Sequence, residues 1–391
     1  MKTPYFIIHK EVLDSTVDSF KTAIRNLWPN CLVGYSFKSN AIPWMLDYMR
    51  KQGFYAEVVS FDEYSLALSI GYDKDKIVYN GVAKDEDTFK NAVLDGAYVN
   101  IDAWHEIRWL SDLPANSKKR IGIRVNIDLE SLIPGITVCG SEESRFGICY
   151  ENGELKKAID KIKEIPNAQV VGLHLHNSIP SRSLDAYWAI SKKACDIISD
   201  LDLELEYIDI GGGFFGGLDN KPSFEDYLAI IKERLSKFID ITKTKLIVEP
   251  GMSLLSTSMS YVTSVVDVKT NKDSIFIVTD GGRTQIDPMM RKKGFFYEID
   301  AEKYEQRQVL KKQVVTGFTC IETDRLFTLV EMPKLMEGDK IVYHKIGAYT
   351  YCSSSNFIKF LPPVYVDDDG EIILVNKEWK AEDFLRKYIK K

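Results

Sequence analysis

The sequence lacks the features that define several classes of protein. Its six cysteines contain no CxxC pair and no regular spacing, so we expect reduced thiols in a cytoplasmic protein rather than a disulfide or zinc framework. No apolar stretch approaches the length of a membrane span, and the apolar run at residues 5–8 is too short for a signal peptide. The 51 basic and 57 acidic residues give a net charge of −6. Without a broad basic surface, nucleic acid is not expected as a partner, and neither is a membrane.

What the sequence does contain is an alternation of short apolar runs with amphipathic stretches. A chain of 391 residues, 45% of them hydrophobic, is long enough for two domains. Eight apolar runs predict strands, and stretches such as residues 41–52, 61–70, 86–94 and 224–238 predict helices between them. This alternation over about 220 residues indicates an α/β fold, a (β/α)8 TIM-type barrel. The predicted strands are residues 31–35, 55–59, 76–79, 97–101, 121–125, 170–174, 206–210 and 246–248.

After residue 255 the pattern changes to β-branched and aromatic runs, and no strong helix separates most of them. We therefore predict a C-terminal β-domain, a barrel or a sandwich, joined by a strand at residues 5–9. The predicted domains are a barrel at 28–254 and a β-domain at 1–27 and 255–391. Residues 377–391 indicate a terminal helix with a basic, solvated face. The predicted strands of this part are residues 261–268, 274–279, 313–319, 326–330, 340–345, 364–366 and 372–375.

Polar and glycine-rich groups follow nearly every predicted barrel strand. In such a barrel the site lies at the carboxyl ends of the strands, whereas random placement would scatter these groups over both ends. The pattern therefore indicates an enzyme. The residues are Lys38, Glu57, Ser60, Asn80, Asp102, Arg124, Asn126, His174, His176, Gly211, Gly212, Gly213 and Glu249.

Four of these features, the glycine run and three single residues, favour a pyridoxal phosphate site when taken together. Glycines 211–213 can bring backbone N–H groups close to a phosphate, although a flexible turn explains them equally well. Lys38 on a buried rim would have a lowered pKa that suits Schiff-base formation, and an ordinary surface lysine is the alternative. Glu249 can face a pyridine nitrogen or pair with a barrel arginine, and His176 can be a core histidine. Lysine, phosphate cradle and carboxylate are what this cofactor needs, and no metal site is expected.

The motifs resemble those of the fold-type III pyridoxal phosphate (PLP) decarboxylases, the family of diaminopimelate and ornithine decarboxylases. Tyr35-Ser-Phe-Lys-Ser-Asn40 is similar to the family's Schiff-base motif. The resemblance runs almost end to end and implies an alanine racemase-like barrel, pyridoxal 5′-phosphate as cofactor and an amino acid as substrate. It implies that His176 stacks on the cofactor ring and that Glu249 binds the pyridine nitrogen. The implied cofactor-binding residues are Lys38, Arg124, His174, His176, Ser178, Gly211, Gly212, Gly213, Glu249, Gly251 and Tyr349.

Two motifs near the C-terminus extend the resemblance. Gly317-Phe-Thr-Cys320 is similar to the segment that supplies a reactive cysteine from the partner subunit, and Gly347-Ala-Tyr-Thr350 matches the family's GAYT motif. The resemblance therefore implies a homodimer with shared active sites, in which Tyr349 contacts the cofactor. A small buried hydrophobe is the alternative role for Cys320.

The departures from the family concern the far end of the substrate. Met252 stands where the family has Arg after Glu-Pro-Gly, and Asp287 stands where diaminopimelate decarboxylases have Arg. Ile321 replaces an acid, with Glu322 next along the chain. With Asp287, Ile321 and Glu322 as the substrate positions, we expect a non-standard or conjugated amino acid from secondary-metabolite biosynthesis. A basic amino acid stays open if Asp287 or Glu322 faces the pocket.

The residue opposite the pyridine nitrogen separates two reactions. A carboxylate such as Glu249 keeps the nitrogen protonated, which favours decarboxylation, whereas the related alanine racemases place an arginine there. The predicted catalytic residues are Lys38, His176 and Cys320, with Cys320 protonating Cα after CO2 has left. A PLP-dependent racemase or epimerase is the first alternative, and a non-catalytic binding homologue is the second.

Overall fold

The computed structural model describes residues 1–140, 142–272 and 274–386. The strands are β1 Tyr5–His9, β2 Cys31–Ser36, β3 Tyr55–Val58, β4 Ile77–Tyr79, β5 Tyr98–Ile101, β6 Lys119–Asn126, β7 Ile148–Cys149, β8 Ala168–His174, β9 Tyr207–Asp209, β10 Lys245–Val248, β11 Met259–Asn271, β12 Ser274–Thr279, β13 Phe296–Asp300, β14 Val309–Thr316, β15 Arg325–Pro333, β16 Lys340–His344, β17 Val364–Asp368 and β18 Glu371–Asn376. The helices are α1 Lys10–Leu27, α2 Pro43–Lys51, α3 Phe61–Ile70, α4 Glu86–Leu94, α5 Trp104–Ser111, α6 Glu154–Lys163, α7 Leu184–Asp200, α8 Phe224–Leu235, α9 Met252–Leu255, α10 Arg283–Ile286 and α11 Ala381–Leu385.

The chain divides into two compact units. One contains Val17–Ser253, and the other contains Met1–Thr16 with Leu254–Lys391. Helix α1, which the sequence pattern does not predict, begins in the second unit and ends in the first. The predicted domain division at residues 27 and 254 stays a prediction. Among the described residues, no helix is both long and apolar enough to cross a membrane.

The first unit is a closed parallel barrel, so the predicted (β/α)8 fold is confirmed. Within the described residues eight strands pair in a ring, in the order β2, β3, β4, β5, β6, β8, β9, β10 and back to β2. The ring closes without an edge because β10 pairs with β2, and the two-residue β7 pairs with β6 outside it. Such strands are covered on both faces, which explains their nearly continuous apolar sequences.

Side chains fill the interior of the barrel. Leu32, Val78, Val171, Tyr207 and Ile247 form one buried cluster contributed by five strands. The ring of Tyr207 occupies the space beside Gly172, where a Cβ atom would lie 2.1 Å from the ring. A glycine and a tyrosine on neighbouring strands therefore complement each other, as is typical of a packed barrel interior.

The second unit is built around a mostly antiparallel sheet, which confirms the predicted β-domain. Its strands run in the order β15, β14, β12, β11, β1, β17, β18, and β16 joins β11 to β13. The N-terminal strand β1 pairs with β11 and β17, as expected. A terminal helix is predicted over residues 377–391. Of its described residues, Ala381–Leu385 form helix α11, and residues 387–391 lie outside the described part of the chain.

Candidate active site

The carboxyl ends of the barrel strands bring chemistry-bearing side chains to one rim. Parallel strands in a closed barrel all end on the same side, so groups from distant parts of the sequence become neighbours. Lys38 follows β2 in a short 3₁₀ turn, Glu57 lies within β3, and Glu249 directly follows β10. The rim predicted from the sequence is therefore present.

Lys38 is held by a buried carboxylate. Its Nζ donates to Glu57 Oε2 at 2.6 Å, and Ser36 Oγ donates to the same oxygen at 2.6 Å. The side chain of Lys38 is 36% exposed and that of Glu57 only 1%. Burial by itself would raise the pKa of Glu57, but the charge of Lys38 and these hydrogen bonds lower it below its usual value. Glu57 therefore stays ionised and holds the lysine ammonium at the rim.

Asn80 connects two carboxyl groups across the barrel. Its side-chain amide donates to Glu57 Oε1 at 3.1 Å and to Glu249 Oε1 at 2.5 Å. Asn100 donates to Asn80 Oδ1 at 2.8 Å, and Tyr207 Oη donates to Asn100 Oδ1 at 2.9 Å. This buried chain of donors fixes the orientation of both carboxyl groups.

Glu249 shares a buried cluster with Asp209 and His174. One ligand atom of each residue lies within 4.8 Å of the others, and all three residues are buried. Burial, followed by the charge of Glu57, raises the pKa of Glu249 to about 7. Burial and the charge of Glu249 raise the pKa of Asp209, whose Oδ1 accepts the Gly211 N–H at 2.8 Å. Because two buried carboxyls so close cannot both ionise easily, the pair retains a proton near neutral pH.

The glycine loop packs directly against His176. Gly211 has a φ of +73°, and a Cβ atom there would lie 2.3 Å from His176 Nδ1. The Gly212 N–H donates to His176 Nδ1 at 3.4 Å, and Tyr187 Oη donates to the Gly212 carbonyl at 2.9 Å. Burial, with the charges of Arg124 and Lys38, lowers the pKa of His176 to about 3. His176 is therefore a neutral ring at physiological pH, with its Nδ1 accepting from the loop.

Arg124 lies at the end of β6 beside the same group of residues. Its Nη1 is 3.5 Å from Asp102 Oδ1, its Nη2 donates to the His176 carbonyl at 3.4 Å, and it stacks on Phe146. The rings of His174 and His176 are 6.3 Å apart and nearly parallel. The predicted cofactor-binding residues Arg124, His174 and His176 are thus close neighbours.

Two predicted barrel residues lie at the margin of this group. The Ser178 residue is exposed, and its carbonyl accepts the Val138 N–H at 3.0 Å. Gly251 allows the chain after β10 to approach Ser39, since a Cβ atom there would lie 2.5 Å from Ser39 Oγ. The proposed roles of both in cofactor binding remain predictions.

The remaining predicted residues belong to the second unit. Cys320, Ile321 and Glu322 are exposed in the turn between β14 and β15, so the alternative of a buried hydrophobe does not apply to Cys320. Tyr349 is partly exposed and has a φ of +54°. Asp287, in contrast, is 4% exposed.

Asp287 is fully engaged within its own unit. Its carboxylate accepts from Arg283 Nε at 2.9 Å and from the backbone N–H groups of Arg291 and Lys292 at 3.0 and 2.9 Å. This carboxylate therefore stabilises the segment after α10, and the guanidinium of Arg283 is committed to it.

The site residues predicted from sequence omit part of the network. Glu57 and Asn80 are expected at the rim but have no predicted role in cofactor binding or catalysis, and Asn100 and Asp209, in the last two residues before their strands end, are not among the predicted residues. Position at a strand end is the signal that could identify them. Their partners depend on contacts across the barrel, which strand ends alone do not reveal.

A closed barrel with a lysine after its first strand, a glycine loop after its seventh and a glutamate after its eighth is typical of enzymes that hold a phosphorylated cofactor at the rim. Residues 13–256 match the family model described as "Pyridoxal-dependent decarboxylase, pyridoxal binding domain". The chain belongs to this family. Its cofactor is PLP, and it is a PLP-dependent amino-acid decarboxylase.

Curated relatives match nearly the whole chain. A probable chloroplastic diaminopimelate decarboxylase of Oryza sativa subsp. japonica is 28% identical over 98% of this chain and 79% of the relative. The diaminopimelate decarboxylase of Aquifex aeolicus is 25% identical over 91% of this chain and 84% of the relative.

Solved structures share the fold. A diaminopimelate decarboxylase from M. jannaschii superposes with a TM-score of 0.86 at 21% identity, covering 100% of this chain and 93% of the other. The arginine decarboxylase of Paramecium bursaria Chlorella virus has a TM-score of 0.78 at 18% identity, covering 94% and 96%.

The residues at the rim fit PLP. Among the described residues, neither ring nitrogen of the buried His174 has a hydrogen-bond partner. The Gly211–His176 contact leaves no room for a side chain, so the loop presents its backbone instead. A lysine, a retained carboxyl proton and a loop of backbone N–H groups are the donor set that this cofactor requires.

Proposed function

We propose that this decarboxylase acts on an amino acid with a non-standard or conjugated side chain, in a biosynthetic reaction that yields an amine and CO2. The main structural support for decarboxylation as the reaction is the environment of Glu249. A carboxyl group at this position, with its pKa raised by burial, supports chemistry in which a protonated ring nitrogen is required.

When bound, PLP supplies an electron-withdrawing ring that accepts the electron pair left when CO2 departs from Cα. Lys38 would hold the cofactor through Nζ, and Glu57 Oε2 orients that Nζ at 2.6 Å. The glycine loop at 211–213 would lie against the phosphate, and in this structure the Gly211 and Gly212 N–H groups donate to Asp209 Oδ1 and His176 Nδ1. The neutral ring of His176 would pack against the cofactor ring.

The same carboxyl disfavours the racemase alternative. Burial and the charge of Glu57 raise the pKa of Glu249 to about 7, so this carboxyl keeps a proton for a ring nitrogen, while Asn80 orients it by donating to Oε1 at 2.5 Å. Arg124, the arginine beside His176, is engaged with Asp102 and the His176 carbonyl and so does not take that role.

The proton that replaces CO2 at Cα is proposed to come from Cys320 of a second copy of the chain. Its exposure within its own unit supports this role, because a thiol that acts across subunits must be accessible. We accordingly propose a homodimer with shared active sites, in which Tyr349 contacts the cofactor.

The substrate proposal is supported by the positions that differ from the family. Asp287 is buried and engaged by Arg283 and two backbone N–H groups, so it is not available to bind a distal ammonium. Glu322 has a side chain 96% exposed, 3.7 Å from Arg325. These observations favour a substrate without a simple basic end.

The six cysteines are all free, which supports a reducing compartment and hence the proposed cytoplasmic location. A secondary-metabolite pathway is part of the same proposal, because it would supply a modified amino acid.

The proposal is tested by CO2 release from purified, PLP-loaded protein. The panel contains basic, acidic and carrier- or citrate-conjugated amino acids, and Lys38→Ala is the control. We expect CO2 from a conjugated or non-standard member and none from the variant, because Lys38 holds the cofactor.

Two outcomes contradict the proposal. Preferred turnover of lysine, ornithine or arginine would overturn the substrate assignment while leaving decarboxylation intact. Exchange of the α-proton with solvent deuterium, without CO2, would support the racemase alternative.

A further inference from the structure

Arg182 lies in an unusual position between β8 and α7. Its φ of +49° places it in the left-handed region, which is costly for a residue with a side chain. Its carbonyl accepts from Tyr227 Oη at 2.7 Å, and its N–H donates to the Ile179 carbonyl at 3.3 Å. These contacts hold the strained backbone in place and thereby fix the position of the Arg182 side chain.

The contacts of that side chain within the described residues are with a thioether and an aromatic ring. Arg182 Nη2 lies 3.1 Å from Met252 Sδ, and the guanidinium stacks over Phe215 at 5.1 Å. Among the described residues Arg182 makes no ion pair. An arginine is always charged in proteins, and its five N–H donors suit bidentate binding of carboxylate or phosphate.

A second cation lies on the same ring. Lys221 Nζ is 5.1 Å from the centroid of Phe215, and in the described part of the chain it too has no acidic partner. Two positive charges on one aromatic ring repel each other, and an anion beside them offsets that repulsion. The pair therefore forms a local positive field at this edge of the barrel rim.

The pair of cations on Phe215, Arg182 and Lys221, lies next to the glycine loop. Phe215 follows Gly211, Gly212 and Gly213 by two residues, and its N–H donates to Tyr227 Oη at 3.3 Å. Tyr227 also packs against Tyr187, the residue whose hydroxyl binds the Gly212 carbonyl. One aromatic cluster thus positions both the loop and Arg182.

We propose that Arg182 binds an anionic oxygen group at this edge of the active site and supplies the guanidinium absent at Met252. The group is either the phosphate of the cofactor or a carboxylate at the far end of the substrate. The second alternative, a substrate carboxylate, rests on the proposed function. It would define the substrates as amino acids with an acidic distal group. Arg283 does not compete for this role, because Asp287 binds it.

The first arm of the test measures PLP binding to the cofactor-free protein by absorbance titration. Loss of a charge-assisted hydrogen bond to the phosphate predicts an affinity roughly 10- to 100-fold weaker in Arg182→Met, with a smaller loss in Arg182→Lys. Arg234→Met is the matched control. Arg234 also stacks on an aromatic ring, Trp188 at 4.4 Å, but it lies at the far end of α8.

The second arm compares two probes of the PLP-loaded protein, diaminopimelate and L-lysine, by the shift of cofactor absorbance. They differ by a single distal carboxylate. A substrate-reading Arg182 predicts that Arg182→Met weakens diaminopimelate binding by roughly 10-fold and leaves lysine binding unchanged. If the native protein binds neither probe, Arg182 does not bind a substrate carboxylate. The PLP titration then decides whether it binds the phosphate.

A double variant that moves the guanidinium from position 182 to position 252 separates the loss of an anion contact from a loss of packing. In the double variant Arg182→Met with Met252→Arg, the guanidinium returns from the neighbouring position, and we expect the lost affinity to recover. Thermal unfolding of each variant identifies any that fail to fold, and Arg182→Lys then carries the test. Unchanged PLP affinity together with an unchanged diaminopimelate-to-lysine ratio overturns the inference, while CO2 release by the native protein tests the proposed function separately.

Discussion

At the scale of single residues, the site is a balance of three buried carboxyl groups around one lysine. Glu57 is stabilised in its ionised form by Lys38. Burial and the charge of Glu57 favour the protonated form of Glu249, and burial and the charge of Glu249 favour that of Asp209. Neighbouring carboxyls with diverging pKa values are typical of acid–base sites. The arrangement places a stable negative charge beside the lysine and a retained proton beside Glu249.

Glu249→Gln tests the retained proton. In the folded chain Glu249 keeps its proton up to a pH of about 7, whereas an unfolded glutamate loses it near its ordinary pKa of 4.5. Folding therefore takes up a proton between these values, and stability falls as pH rises through them. We expect the cofactor-free variant to match the native protein below pH 4.5 and to exceed its stability by roughly 1–3 kcal/mol above pH 7.

Urea unfolding at several pH values provides the measurement, and Glu233→Gln on the exposed surface is the control. A stability difference that does not change between pH 4.5 and 8 would mean that Glu249 titrates normally.

The residues predicted from sequence can be placed on one rim because strand ends are readable from apolar runs. Their hydrogen-bond partners cannot be assigned in the same way. Asn80 reaches Glu249 across 169 positions of sequence, and strand ends do not say which amide faces which carboxylate. The burial of Asp287 cannot be predicted from the sequence either, since it depends on the fold of the segment after α10.

At the scale of elements, the glycine loop is set by packing as much as by flexibility. Gly211 requires both a left-handed backbone and the absence of a Cβ atom against His176. This combination fixes the backbone of the loop against His176, which suits a bound anion better than a mobile turn would.

Gly211→Ala should damage the loop for both reasons. We expect a loss of about 1–3 kcal/mol in stability and a weaker affinity for PLP, from backbone strain and collision with His176. Gly53→Ala is the matched control, because Gly53 has a φ of +82° but a Cβ atom there would meet nothing within 4 Å. Equal effects of the two substitutions, by urea unfolding and PLP titration, would refute the packing argument.

The elements that the sequence predicts best are those with one clear period. The helices at residues 61–70 and 86–94 match α3 and α4 in full, and the strand at 274–279 matches β12. Helix α1 is not among the predicted helices although Leu13, Val17, Phe20 and Ile24 are buried at helical spacing, so its pattern is readable from the sequence. Strand β13 escapes it because its side chains are mostly exposed and give no alternation.

At the scale of the whole molecule, the proposed homodimer brings two copies of the chain together to complete one site. Lys38 lies in the barrel unit and Cys320 in the other unit. If Cys320 acts on the site of a second copy, two different inactive chains can complement each other.

Mixing Lys38→Ala with Cys320→Ala after dissociation and reassembly tests this. Half of the randomly reassembled dimers are mixed, and each mixed dimer has one intact site, so we expect about a quarter of the native CO2 release. Each variant alone, passed through the same procedure, is the control. A mixture no more active than its components would place both residues in the site of one chain.

The central claim is that the Glu249 site removes CO2 from Cα and replaces it with a solvent-derived proton. The most direct measurement is a reaction in D2O with the substrate found in the CO2 panel, followed by mass spectrometry of product and remaining substrate. We expect equal amounts of CO2 and amine, one deuterium at Cα of the amine, and none in the remaining amino acid. Deuterium in an amino acid of inverted configuration, without CO2, would contradict it.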